Sequence, residues 1–211
     1  MDSTAPDRRL VALGLALALP MAAKAARSRP RAPAETGMAL GAPGAKVTVV
    51  EYASLSCPHC ARWANEVFPA FKAKYIDTGK VRFVLREFLI YPPEMAAAGW
   101  LTARCAGPRY FQVVEAIFRD QEKILAADNF RAALLAIAQA NGIGEGRFDQ
   151  CVTDKQALAD LDDRVGLYVS RDKITGTPTF LVGDRRLDGE QSLEALDQAI
   201  AAATPAARQR K

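Results

Sequence analysis

Two cysteines separated by two residues are the part of this sequence best suited to chemistry. Cys57 and Cys60 enclose Pro58 and His59, and an apolar pattern with helical spacing begins at Cys60. At the start of a helix, unpaired backbone N–H groups and the positive end of the helix dipole stabilise an exposed Cys57 thiolate. Cys60 then faces inward and resolves mixed disulfides. The spacing therefore predicts a redox-active dithiol.

The two enclosed residues suit the same chemistry. Pro58 presets the backbone for the first helical turn. His59 adds a hydrogen-bond donor and, when protonated, a positive charge beside the Cys57 thiolate. His59 is also the only histidine among the 211 residues. A Ser/His/Asp mechanism or a histidine-rich metal site would have to use this one imidazole, which argues against most hydrolases and metalloenzymes.

Two other interpretations of the cysteine pair remain, a zinc half-site and a purely structural disulfide. A zinc site needs a second clustered ligand pair, whereas Cys105 and Cys151 stand far apart in the sequence. Haem attachment is excluded because Ala61 rather than histidine follows Cys60. Structural disulfides rarely lie at a strand-to-helix switch point, where substrates bind. No metal or other cofactor is therefore expected.

The segments around the cysteines alternate between strand and helix patterns. Residues 47–53 form a β-branched, mostly apolar run that predicts a central strand buried on both faces. The helix that begins at Cys60 should kink or split at Pro69. Residues 81–88 predict a second strand. This β-α-β order requires a parallel pair joined by a right-handed crossover, so the fold class is α/β.

A long stretch without strand patterns, residues 93–173, follows the second strand. Its apolar periodicity predicts helices over 94–106, 110–123, 128–141, 145–153 and 155–171. Two short strands, 179–182 and 185–188, come next. A last amphipathic helix begins after the cap Ser192. The pattern is that of a sheet whose chain is interrupted by a helical insertion.

The N-terminus has the pattern of an export signal. Arg8 and Arg9 precede an apolar run over 10–19, and Ala23-Lys24-Ala25 offers a cleavage site. We therefore expect a signal peptide over residues 1–25, of the general secretory or the twin-arginine kind. A membrane anchor is the alternative, but about ten apolar residues span roughly 15 Å, half of a bilayer core. Export implies an oxidising compartment.

The net charge of +4 lies in the ends of the chain. Residues 1–36 and 208–211 each carry a net charge of +3, which leaves −2 for residues 37–207. A nucleic-acid-binding face needs basic residues clustered on the folded body, so no nucleic-acid partner is expected. Residues 26–40 are interpreted as a flexible leader and residues 204–211 as a loose basic tail.

The order of these elements resembles one family. A strand, the Cys57-Pro58-His59-Cys60 tetrad, a kinked helix, a strand, a helical insertion and Gly176-Thr177-Pro178-Thr179 before a hairpin are similar to DsbA-like thioredoxin-fold thiol–disulfide oxidoreductases of the bacterial periplasm. The resemblance covers roughly residues 40–203. It implies a thioredoxin-fold domain built from residues 41–92 and 174–203, with an inserted helical domain over 93–173.

The resemblance also implies roles for three further residues. Thr177-Pro178 would be a cis peptide bond facing the cysteines, with the Thr177 backbone free to pair with an extended substrate strand; a trans proline that opens a strand is the alternative. Glu51 would be a buried acid with a raised pKa that carries the proton of Cys60. A position at a solvated strand edge is the alternative for Glu51.

The remaining cysteines, Cys105 and Cys151, both fall in the helical insertion. Unpaired thiols are a liability in an oxidising compartment, so we expect a structural disulfide between them. Such a bridge could instead tune or regulate the active site, and two separately buried thiols are the other alternative.

The activity that the resemblance implies is donation of the Cys57–Cys60 disulfide to reduced or unfolded secreted proteins in the periplasm. A membrane quinone-linked partner of the DsbB kind would reoxidise the protein, which we expect to be a monomer. One departure favours an isomerase or reductase instead: Thr177 stands where strong oxidases of the family carry valine. A non-catalytic client-binding chaperone with structural cysteines is a further alternative.

Overall fold

The computed structural model describes Met1 and residues 37–204. The expected signal peptide, the greater part of the leader and residues 205–211 of the tail lie outside the described residues. Among the helices of the described part, none has the length and apolar character that crossing a membrane requires.

A five-stranded sheet in the order β1-β3-β2-β4-β5 forms the centre of the described residues. The strands are β1 (Met38–Leu40), β2 (Val47–Ala53), β3 (Val81–Glu87), β4 (Thr179–Val182) and β5 (Arg185–Asp188). The central pair β2 and β3 is parallel, and the other pairs are antiparallel. The predicted α/β class is confirmed. Burial of β2 on both faces holds for its C-terminal half, whereas Thr48 is exposed.

Strand β1 corrects the boundary that we drew for the leader. Met38 and Leu40 pair with Leu85 and Phe83 of β3, so the folded body begins before residue 41. A three-residue strand is too short to show a periodic pattern in sequence. Gly41 turns the chain away from β1 with a φ of 87°, a conformation that side chains disfavour.

Eight α-helices surround the sheet in the described part of the chain. They are α1 (Pro58–Glu66), α2 (Phe68–Phe71), α3 (Pro93–Cys105), α4 (Tyr110–Ala126), α5 (Phe130–Ala140), α6 (Glu145–Val152), α7 (Lys155–Arg171) and α8 (Leu193–Ala203). Pro69 lies in the first turn of α2, where its missing N–H is tolerated, and the predicted split of the first helix is confirmed. A π-helical segment, Lys72–Ile76, continues α2.

Helices α1 and α2 complete the crossover between β2 and β3 and cover one face of the sheet. Trp63 of α1 lies 4.8 Å from Phe180 and 6.2 Å from Phe83, measured between ring centroids. Phe68 and Phe71 of α2 join the same aromatic cluster. Close packing of these large rings fixes the direction in which α1 leaves the sheet.

Helices α3 to α7 form the expected helical insertion between β3 and β4. A buried carboxylate at the end of β3, Glu87, ties the insertion to the sheet. Its oxygens accept hydrogen bonds from Arg104 Nε at 2.6 Å, Arg164 Nη2 at 2.8 Å and Tyr110 Oη at 3.1 Å. Three helices, α3, α4 and α7, thus meet on one side chain, which is only 1% exposed. Removing one partner of such a buried ion pair lowers the stability of the fold by more than the intact pair adds, because the other charge stays buried without compensation.

A disulfide joins Cys105 of α3 to Cys151 of α6. The bridge closes a loop of 46 residues within the insertion. In the chain-entropy account, a bridge of this span stabilises the folded state by restricting the unfolded chain.

We expect the double substitution Cys105→Ala/Cys151→Ala to lower the free energy of unfolding by roughly 4 kcal/mol, measured by urea denaturation.

The control is a Cys57→Ala/Cys60→Ala variant, which keeps the bridge. After denaturation without reductant, that control should contain no titratable thiol. Two thiols per chain would contradict the bridge.

Candidate active site

Cys57 occupies the N-cap position of α1, directly after the turn that ends β2. Its backbone N–H donates to the Ser54 carbonyl at 3.0 Å, and Pro58 opens the helix. The Cys57 Sγ accepts a hydrogen bond from the Cys60 N–H at 3.4 Å and donates to the Thr177 carbonyl at 3.4 Å. Cys57 and Cys60 are both free thiols in this structure.

The first turn of α1 stabilises the Cys57 thiolate. A hydrogen bond from the Cys60 side chain is the largest of the effects that lower the pKa of Cys57 to about 6. Burial opposes that change, whereas the Thr177 side chain and the backbone N–H groups of Cys60 and His59 add to it. A thiolate with such a pKa is present at neutral pH and is a good leaving group.

Our expectation that Cys57 is exposed is wrong. The residue is 1% exposed, because the Thr177-Pro178 segment lies against its sulfur. The stabilisation of its charge therefore comes from fixed hydrogen-bond donors and from the helix terminus rather than from water.

The second cysteine behaves in the opposite way. Cys60 is fully buried, and burial raises its pKa well above the ordinary value. The hydrogen bond to Cys57 and the charges of Cys57 and Glu51 raise it further. The pair is therefore asymmetric, with a charged Cys57 beside a protonated Cys60.

Glu51 lies on the central strand β2 and is 3% exposed, so the alternative of a solvated strand edge is wrong. Burial, and then the charge of Cys57, raise the pKa of its carboxyl well above the ordinary range. Its Oε1 atom has no hydrogen-bond partner among the described residues. The Trp63 Nε1 atom is unpartnered in the same way, and both residues line one small cavity of about 20 Å³.

The Thr177-Pro178 peptide bond is cis, and so is Tyr91-Pro92, which we did not anticipate. Thr177 directs its carbonyl toward Cys57, and the Pro178 carbonyl accepts a hydrogen bond from the Gly189 N–H at 2.9 Å. The segment that faces the cysteines is thereby tied to the turn after β5.

The imidazole of His59 does not have the position that we expected. Its Nδ1–H donates to Glu190 Oε1 rather than to Cys57, and the Arg62 Nη2 atom lies 3.2 Å from the same carboxylate oxygen. What His59 contributes to the low pKa of Cys57 is its backbone N–H. Glu190 and Arg62 were missed because a contact across 131 sequence positions leaves no local pattern.

Gln121 is a second residue that sequence reasoning missed. It lies on α4 of the insertion and is 3% exposed. Its Nε2 atom donates to the carbonyls of Leu55 at 2.8 Å and Cys57 at 3.1 Å. An amide among the apolar positions of α4 is the signal that could have identified it, since buried amides are hydrogen-bonded.

The remaining predicted residues do not enlarge the site. Cys105 and Cys151 are bonded to each other, which removes them as partners for a metal at Cys57 and Cys60. Over residues 37–204, no three histidine, cysteine or acidic side chains form a group that could hold a metal ion.

Comparisons with known proteins agree with this arrangement. A sequence model of the family described as thioredoxin matches residues 33–202. A Rickettsia typhi protein provisionally named protein-disulfide oxidoreductase is 37% identical over 147 residues, which are 69% of this chain and 54% of that protein. The crystal structure of Wolbachia pipientis alpha-DsbA1 superposes with a TM-score of 0.74 at 26% identity and covers 82% of this chain and 92% of that one.

The chain belongs to the thioredoxin family, and within it has the DsbA-like fold with a helical insertion. A Rickettsia prowazekii protein is 36% identical over 150 residues, and the chain spans about half the length of both Rickettsia relatives.

The asymmetry of the two thiols predicts how the reduced protein responds to pH. The ultraviolet absorbance of its thiolate should titrate with a midpoint near pH 6, and this step should be lost in Cys57→Ser. The pKa of Cys57 is lower in the folded chain than in the unfolded chain, where it is about 8.5. The stabilisation of the reduced protein is thus complete above about pH 8.5 and is lost as pH falls through 6. A single midpoint near 8.5 would contradict this.

Proposed function

We propose that this chain is an exported thiol–disulfide oxidoreductase that donates its Cys57–Cys60 disulfide to reduced, folding proteins. The observation that supports this most directly is the Cys57 thiolate, whose pKa is lowered to about 6 beside a buried Cys60. Stabilising one thiolate favours the dithiol over the disulfide and makes the disulfide more oxidising. The names of the Rickettsia relatives support the same activity.

The first step is attack of a substrate thiolate on Cys57 Sγ of the oxidised protein. A bond forms between the substrate sulfur and Cys57, and the Cys57–Cys60 bond breaks. Cys60 leaves with the electron pair and takes up a proton, because burial disfavours its thiolate.

The second step releases the product. Another substrate thiolate attacks the substrate sulfur of the mixed disulfide, and Cys57 leaves with the electron pair as a thiolate. The hydrogen bonds from the first turn of α1 stabilise that leaving group. Two electrons have then passed from the substrate dithiol to the protein, which ends as the dithiol.

Glu51 supplies and removes the proton of Cys60 in this scheme. Burial raises the pKa of this carboxyl and so favours its protonated form, and its charge, once formed, raises the pKa of Cys60. The titrations of Glu51 and Cys60 are therefore coupled, and one proton is transferred between the two groups.

The proposal includes a direction of disulfide transfer, from this protein to its substrates. In related folds the pKa of the first cysteine ranges from about 3.5 in a strong oxidase to about 7 in a reductase. A value of about 6 and the presence of Thr177 both keep an isomerase or reductase role as the second candidate. The export pattern of residues 1–25 favours the donor, because export leads to an oxidising compartment.

We also propose a location and partners that suit the donor role. We place the protein in the bacterial periplasm, acting as a monomer on reduced or unfolded secreted proteins. Its reoxidation requires an electron acceptor, for which a membrane quinone-linked protein of the DsbB kind is suited.

The redox equilibrium of Cys57 and Cys60 tests the direction. Equilibration with glutathione buffers, with Cys57→Ala as the control, should give a potential well above about −200 mV for a disulfide donor. A potential near about −270 mV would instead indicate a reductase. Activity that survives in Cys57→Ala would indicate a client-binding chaperone and overturn the enzymatic proposal.

Substitution of the buried acid tests the proton transfer. Glu51→Gln keeps the shape of the side chain but cannot exchange a proton. Release of a mixed disulfide by attack of Cys60 on Cys57, the reverse of the first step, requires that Cys60 lose its proton and should therefore slow by about ten- to a hundredfold. Glu66→Gln, an exposed position on α1, is the matched control and should leave the rate unchanged. Unchanged release kinetics in Glu51→Gln would remove Glu51 from the mechanism.

A further inference from the structure

One carboxylate reaches the active-site tetrad from a distant part of the chain. Glu190 belongs to the connection between β5 and α8, and its Oε1 atom accepts a hydrogen bond from His59 Nδ1–H. The Arg62 Nη2 atom lies 3.2 Å from the same oxygen and 3.3 Å from His59 Nδ1. None of these three side chains takes part in the proposed steps of disulfide transfer.

The segment that carries Glu190 is held in place by its backbone. The Gly189 N–H donates to the Pro178 carbonyl at 2.9 Å, and Gly189 has a φ of 79°. The Gln191 Nε2 atom donates to the carbonyls of Asp188 and Gly189, each at 3.0 Å. Glu190 thus projects from a segment fixed to the cis-proline, across to α1.

The contact determines where the imidazole of His59 is. His59 precedes Cys60 on the exposed side of the first turn, and its side chain is 63% exposed. Without a fixed partner, an imidazole at this position is free to rotate, and a hydrogen bond to a neighbouring thiolate would be charge-assisted. The described partners of Cys57 Sγ are instead Cys60 and Thr177.

We propose that Glu190 is a positioning residue that holds the His59 imidazole away from Cys57 and so limits how oxidising the Cys57–Cys60 disulfide is. This inference rests on the proposed function and adds a residue that sets the strength of the oxidant. Arg62, one helical turn after His59, is a second side chain that contacts the Glu190 carboxylate.

Glu190→Gln tests the inference, because it preserves the size of the side chain and removes its charge. The neutral amide is a weaker acceptor for the His59 Nδ1–H than the carboxylate, so the imidazole is held less firmly. We therefore expect the pKa of Cys57 to fall by about half a unit to one unit. The equilibrium with glutathione should then shift roughly three- to tenfold toward the reduced protein. Glu194→Gln, an exposed position in the first turn of α8, is the matched control and should change neither quantity.

A double-mutant cycle with His59→Ala separates positioning from a direct effect of the Glu190 charge. If Glu190 acts through the imidazole, Glu190→Gln should have no effect on the pKa or the equilibrium in the His59→Ala background. An equal effect in both backgrounds would overturn the positioning role, and so would the absence of an effect when His59 is present.

Both readouts are properties of the thiols and require no substrate turnover. A wild-type protein without a thiolate near pH 6 or without a measurable redox equilibrium would count against the proposed function. Failure of Glu190→Gln to alter a normal wild-type titration would count against this inference alone.

Discussion

A single negative charge, held on Cys57 at the start of α1, is the constraint on which the rest of the site depends. Three acidic groups, Cys57, Cys60 and Glu51, are buried at the junction of β2 and α1. Burial raises the pKa of Glu51 and of Cys60, and the charge of Cys57 raises both further, so the negative charge is favoured on Cys57. The hydrogen bond from the Cys60 side chain, together with the N–H groups at the helix terminus, favours the charge on Cys57.

This selection requires that the turn before α1 keep its shape, and much of the fold serves that purpose. Gln121 holds the carbonyls of Leu55 and Cys57 from the insertion side. The aromatic cluster around Trp63 sets the direction of the helix. On the other side, the Thr177 carbonyl closes over the sulfur. The charge therefore lies between two parts of the chain that are more than 100 residues apart.

The local parts of this structure could be predicted from the sequence, and the contacts between distant parts could not. The tetrad, the strand before it and the split at Pro69 follow from residue types a few positions apart. Strand β1 is too short to show a periodic pattern in the sequence. Its position is determined by pairing with β3, which is distant in the sequence. The predictions that Cys57 is exposed and that His59 lies beside its sulfur were wrong for a related reason. Both properties depend on the segments near Pro178 and Glu190, which contact α1 from a distant part of the chain.

The hydrogen bonds of Gln121 also bear on how modular this architecture is. A helical insertion is usually regarded as an accessory that can be exchanged or deleted without harm to the host domain. Here one of its side chains satisfies the backbone of the redox centre itself, at Leu55 and Cys57. Transplanting the tetrad into a smaller thioredoxin scaffold would remove the Gln121 donor from the Leu55 carbonyl and would leave the Cys57 carbonyl with the Ala61 N–H of α1. The insertion and the turn before α1 thus depend on each other structurally.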